Sequence, residues 1–147
     1  MRVILILLFL ITSHPGHSQS MSTLTIDPEI KELTQGLIDN GTIFNLEYLD
    51  RIYDDNLKYI RVDKDNNILV LTKQDNMEFF ESLKNSGAEP LSKYAEFHYA
   101  DNDGKRGYII LTRKMKRQGV EQEFLFNIYW EKIDGEWRII RETVFLK

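Results

Sequence analysis

The chain has no cysteine among its 147 residues. That absence excludes disulfides, thiolate metal sites, iron–sulfur ligation and a cysteine nucleophile. Histidine is nearly as scarce. His14 and His17 lie near the start, and His98 alone falls in the body of the chain. One histidine cannot build a histidine-rich metal site, and we expect neither a metal nor a cofactor. Positive charge is not in excess: 19 basic side chains face 23 acidic ones, for a net charge of −4. A general nucleic-acid binder shows a strong basic excess, so no nucleic-acid partner is expected. Zinc-protease, serine-hydrolase and phosphate-loop motifs are all missing. The one long apolar run is Val3 to Ile11, about half of the roughly 18–20 residues a membrane span needs.

That run has a different meaning. It follows the positive Arg2 and precedes a polar stretch with Pro15 and Gly16. This order of segments is that of a secretory signal peptide. Gly16 and Ser18 are the small residues that a cut before Gln19 requires. No cysteine follows, so no lipid anchor is expected. The expected organisation is a signal peptide over 1–18, a flexible segment over 19–25 and one folded domain over 26–147. The product would be secreted or periplasmic, and free of the membrane after cleavage. Without disulfides its apolar core must hold it, which is feasible at this length. A composition of 42% hydrophobic and 29% charged residues is ordinary for a globular domain.

Helices come first. Asp27-Pro28 reads as an N-cap followed by proline at the first helical position. Ile30, Leu33 and Leu37 recur at helical spacing, and Asn40-Gly41 closes the element. A second helix is expected over about Asn45–Asp54, with Leu46, Leu49 and Tyr53 on one face. Leu57–Val62 and Ile68–Leu71 read as strands around a polar turn. Asp63-Lys64-Asp65 in that turn begins like a calcium loop, but Ile68 and Gln74 stand where such a loop needs glycine and glutamate. Thr72 and Asp75 have capping-box spacing for a third helix, with Phe79, Phe80 and Leu83 as its apolar stripe. Strands then fill the chain from Tyr94 to Leu146, separated by turns at Asn102–Lys105, Gln118-Gly119 and Asp134-Gly135. Helices segregated before a run of hairpins predict an α+β fold, with a curved antiparallel sheet packed on the N-terminal helices.

Strict alternation from the Asp134-Gly135 turn sets the expected faces. Trp130 pairs with Ile139 and Ile128 with Arg141. The helix-covered face then holds Ile109, Leu111, Phe124, Phe126, Ile128, Trp130, Trp137, Ile139, Arg141, Thr143 and Phe145. The other face holds Leu125, Asn127, Tyr129, Arg138, Ile140, Glu142 and Val144. It is too apolar for ordinary solvated surface, and a homodimer through it is expected. Across Gln118-Gly119, Lys114 faces Glu123 and Lys116 faces Glu121, so the cluster Arg113-Lys114-Lys116-Arg117 reads as a solvated hairpin end, with an anion patch as the alternative. An even-length turn after Asp101 would put Glu96 and His98 on the covered face. An odd-length one would put Phe97 and Tyr99 there. A buried Arg141 needs an acid. Either a structural carboxylate such as Asp50 or Glu96 answers it, or a ligand does. The candidate ligand-binding residues are Arg141, Tyr53, Trp130, Glu96 and Thr143. His98 and Asp50 are the candidate acids or bases.

The segments Tyr53-Asp54-Asp55-Asn56-Leu57, Met77-Glu78-Phe79-Phe80 and Ile133-Asp134-Gly135-Glu136-Trp137-Arg138-Ile139-Ile140-Arg141-Glu142 carry a resemblance. Together they look like the nuclear transport factor 2-like superfamily, nearest its SnoaL-like bacterial branch, over about Ile26 to Leu146. The resemblance implies a sheet wrapped round helices into a cone with a pocket at its wide end. It also implies dimerisation through the outer sheet face in many members. Members include isomerases, dehydratases, cyclases and association domains. The base aspartate of the ketosteroid isomerases has no counterpart here, since Arg61 stands nearest its place. Three readings follow. The first is a domain that binds a small organic molecule, an acid among the candidates. The second is a lyase, isomerase or cyclase. The third is a protein-interaction domain of the immunity type.

Overall fold

A computed structural model describes residues 24–117 and 119–147. The expected signal peptide and its cut before Gln19 lie outside the described residues. Helix α1 spans Pro28–Gly41, and the Asp27 carboxylate accepts the Ile30 N–H at 3.0 Å, as its N-cap position predicts. Helix α2, Leu46–Ile52, is shorter than expected. Tyr53 leaves it in extended conformation and opens strand β1, Tyr53–Val62. The turn after β1 is tied by Asp63, whose carboxylate accepts the Asp65 and Asn67 N–H groups at 2.9 Å. Strand β2, Ile68–Leu71, leads into α3, Lys73–Asn85, which starts on the Thr72–Asp75 capping box. Strands β3 (Ala95–Asn102), β4 (Arg106–Arg117), β5 (Val120–Ile133) and β6 (Glu136–Leu146) follow.

The six strands form one open sheet in the order β2-β1-β6-β5-β4-β3. The pairing of β1 with β6 is parallel, so the sheet is mixed rather than wholly antiparallel. Hairpin turns force antiparallel neighbours. The long path from β1 to β6 imposes no such constraint and supplies the crossover a parallel pair needs. The helices pack on one face. Ile30 and Ile38 of α1 and Leu49 of α2 meet Ile109, Leu111, Ile128, Trp130 and Ile139 of the sheet, all at most 1% exposed. The Trp130 indole N–H finds a partner inside this core, the Thr34 hydroxyl at 3.3 Å. Of the α3 side chains Asn76 alone is fully buried, so this helix rests on the sheet rather than sinking into it.

Two β-bulges overturn the expected faces. Asp134 and Gly135 both have positive φ, at 52° and 83°, as a tight hairpin turn requires. The expected pairs Glu131–Arg138 and Trp130–Ile139 form beside it. Tyr129 then pairs with Arg141, which leaves Ile140 as an extra residue. One inserted residue exchanges the faces of every side chain beyond it. Glu142 and Val144 are therefore buried, and Arg141, Thr143 and Phe145 lie on the outer face. The β3–β4 connection is even, with Asn102 opposite Gly107, and Ala100 faces inward opposite Ile109. A second bulge at His98 brings Phe97 in and turns Glu96 and His98 outward.

Gly107 lets α1 lie directly on β4. A Cβ there would collide with the Cδ1 and Cγ1 atoms of Ile30 and touch Trp130 at 3.5 Å. Gly107→Ala should cost about 1–3 kcal/mol in urea melts. Adding Ile30→Val, which removes the nearest colliding methyl, should recover part of that loss.

Candidate functional site

Between α1, α3 and the covered face of the sheet lies a cavity of about 240 Å³. Its walls are mainly apolar, with Leu37 and Ile38 from α1, Phe80 from α3, and Leu111, Phe126 and Val144 from the sheet. Polar residues interrupt them, among them Tyr53 from β1, Asn76 from α3, Arg113 from β4 and Glu142 from β6. Arg61 and the exposed Lys116 add two cations to the lining.

Glu142 is 4% exposed and accepts a hydrogen bond from the Tyr53 hydroxyl at 3.1 Å. Burial pushes its carboxyl up to about 7, although the Tyr53 hydrogen bond and the Arg113 charge pull the other way. Burial, reinforced by the Glu142 charge, raises the Tyr53 hydroxyl well above the usual tyrosine range. Burial likewise lowers the Arg113 guanidinium from its ordinary value. Its Nη2 donates to the Ser92 carbonyl at 2.6 Å, while its Nε has no partner among the described residues. Asn76 Nδ2 is also unpartnered. The amide lies near enough to the Tyr53 hydroxyl to hold it down slightly, without a hydrogen bond of ordinary geometry. The site thus joins free donors to a carboxyl that titrates near neutrality, a value suited to giving or taking a proton.

Of the residues singled out from the sequence, Tyr53 reaches this cavity, from a strand rather than from a helix. Trp130 lies in the core under α1. Arg141 stacks on the outer face over the Tyr129 ring, 4.2 Å from its centroid, and Thr143 shares that face. His98 hydrogen-bonds the Thr112 hydroxyl at 2.7 Å, and the Glu96 carboxylate stands 4.0 Å from the ring. Asp50 is exposed and pairs with Lys73 at 3.1 Å. None of these lines the cavity. Glu142, Arg113 and Asn76 were missed. Its basic neighbours place Arg113 in a solvated hairpin end, yet it is 9% exposed and shares a face with Leu111. Alternation from Leu111 is the signal for it. The doublets Ile139-Ile140 and Arg141-Glu142 are the signal for the slip that buries Glu142.

No protein-family profile and no curated protein sequence matches the chain. Solved structures do. A nuclear transport factor 2-like protein of unknown function from Silicibacter pomeroyi is 13% identical, with a TM-score of 0.63 over 80% of this chain and 92% of that one. One from Cytophaga hutchinsonii is 15% identical, with a TM-score of 0.63 over 83% and 100%. A third, from Rhodospirillum rubrum and described as of unknown function in nutrient uptake, is 16% identical, with a TM-score of 0.59 over 82% and 99%. The chain has the nuclear transport factor 2-like fold.

The Glu142 carboxyl makes stability depend on pH. Its folded value near 7 lies above the ordinary 4.5. The folded state therefore binds the extra proton, and stability should fall between about pH 4.5 and 7 and then level off. The span corresponds to about 3 kcal/mol. Glu142→Gln should lose this slope and gain on the native protein as pH rises. Urea melts at pH 5 and pH 8 check it, and equal slopes for the two proteins would refute the assignment.

Proposed function

We propose that this domain binds a small, mainly apolar organic molecule in the cavity between α1, α3 and the sheet. The cavity carries the reading: apolar walls with a few polar groups converging on them are the usual form of a small-molecule site. A dry cavity of about 150 Å³ accommodates benzene, so about 240 Å³ suits a ligand of about ten non-hydrogen atoms. The open cavity weighs against the immunity-type reading, which a filled interior would have favoured. The apolar leader supports export of the domain.

A second reading has its own observation. A buried carboxyl raised to about 7 and hydrogen-bonded to a tyrosine in a mainly apolar cavity suits a proton-transferring lyase, isomerase or cyclase. Glu142 would act as the acid or base in that case, in place of His98 or Asp50.

The outer face supports a homodimer. Tyr99, Tyr108 and Tyr129 stand in a row at 6.3 and 4.5 Å between ring centroids, and Arg141 closes the row. Ile110 and Leu125 lie on the same face, all of them partly exposed except the exposed Arg141.

Two measurements test these readings. A fragment screen by NMR should shift the signals of Leu111, Phe126 and Val144. Val144→Phe should fill the cavity and abolish those shifts, at about 1–3 kcal/mol in stability. Shifts that survive the plug would place binding elsewhere. For assembly, Tyr129→Glu with Leu125→Glu should turn a dimer into a monomer by light scattering. A native protein that is monomeric at high concentration would end that reading.

A further inference from the structure

We propose that the cavity takes an apolar monocarboxylic acid, its carboxylate held between Asn76 of α3 and Arg113 of β4. The proposal rests on the pocket-binding reading and adds the ligand's chemical class.

The donors come first. Asn76 is 4% exposed and Arg113 9% exposed, both line the cavity, and each has a nitrogen without a partner among the described residues. A buried donor left unpaired is costly, and an acceptor-only group between these two would satisfy both. Both side chains line the same cavity, one from α3 and one from β4.

Charge selects among acceptors. Arg113 and Glu142 form no ion pair with each other. Glu142 is engaged by Tyr53 instead, and Arg113 is tied to the neutral Ser92 carbonyl. Arg61 and Lys116 add positive charge. An amine would meet three cations. A ketone or alcohol would satisfy the donors and leave the guanidinium charge unanswered. A carboxylate answers both, and guanidinium geometry suits it. A phosphate would carry a second charge into walls that are mostly hydrocarbon.

Glu142 then sets the pH range. Facing it are Tyr53, with Tyr59 and Arg61 farther along β1, and Arg113 and Lys116 on β4. The lining residues from α1, β2, α3 and β5 are uncharged. A protonated Glu142 can donate toward the ligand. An ionised one places a like charge beside the bound carboxylate and weakens it.

The test is calorimetry with octanoate, octanol and octylamine on the full chain at pH 6 and pH 8. Octanoate is ionised at both. At pH 6 it should bind about tenfold or more tighter than octanol, and octylamine should not bind. Its affinity should fall about tenfold by pH 8. Glu142→Gln should lose the pH dependence, with the same octanoate affinity at pH 6 as at pH 8. Arg113→Met should remove the preference for octanoate and keep octanol binding, which shows that the cavity survives the change. Equal affinities for octanoate and octanol in the native protein would overturn the acid class and leave the pocket reading standing. No binding of any of the three would overturn both.

Discussion

At Ile140 strand β6 carries one residue more than β5 opposite it, and the chemistry of both faces of the sheet depends on that count. Without the extra residue, Arg141 would point at the helices and Glu142 at solvent. With it, the carboxyl enters the cavity beside Tyr53, Val144 completes an apolar wall, and the guanidinium moves out to cover Tyr129. A bulge thus re-aims charged side chains while the sheet keeps its hydrogen bonds on either side. The bulge at His98 does the same for β3, keeping Glu96 and the imidazole out of the interior and letting Phe97 pack there.

The interior that results is not optimised for stability. A carboxyl, a guanidinium and an amide sit among apolar groups, and two of their nitrogens have no partner among the described residues. Each such donor costs about 1–3 kcal/mol. The close fit elsewhere offsets it: α1 seats Ile30 over Gly107, and Trp130 satisfies its N–H on Thr34. One half of the covered face is a packed core, and the other half, toward α3, is an unfilled and chemically equipped space. This division of labour is typical of folds whose sites strain against their scaffolds.

Local chemistry was legible in the sequence. The caps at Asp27 and Thr72, the Asp134-Gly135 turn and the β4–β5 pairing of Lys114 with Glu123 all follow from short-range rules, and each forms. The α+β class follows from the order of elements. The site was legible at Tyr53 alone. Alternation carries information only while the period holds, and a bulge is one residue of slip with no obligatory residue type. Arg113 is a different case: its period was intact, but its basic neighbours drew it into a solvated group. The parallel β1–β6 pair was hidden because nothing local to either strand names its partner.

That parallel pair also sets the order in which the molecule can be finished. β6 lies between β1 and β5, so a strand from the first third of the domain waits for one of the last elements made. Contacts so far apart in sequence are slow to form, because their loop must close before they stabilise anything. The Tyr53–Glu142 hydrogen bond spans 89 positions and belongs to this closure. A nascent chain that lacks β6 has all three helices, the β1–β2 hairpin and the β3–β5 strands, but not the strand that joins these two parts of the sheet. The Tyr53–Glu142 pair inside the cavity is therefore completed only when the last strand docks against the first.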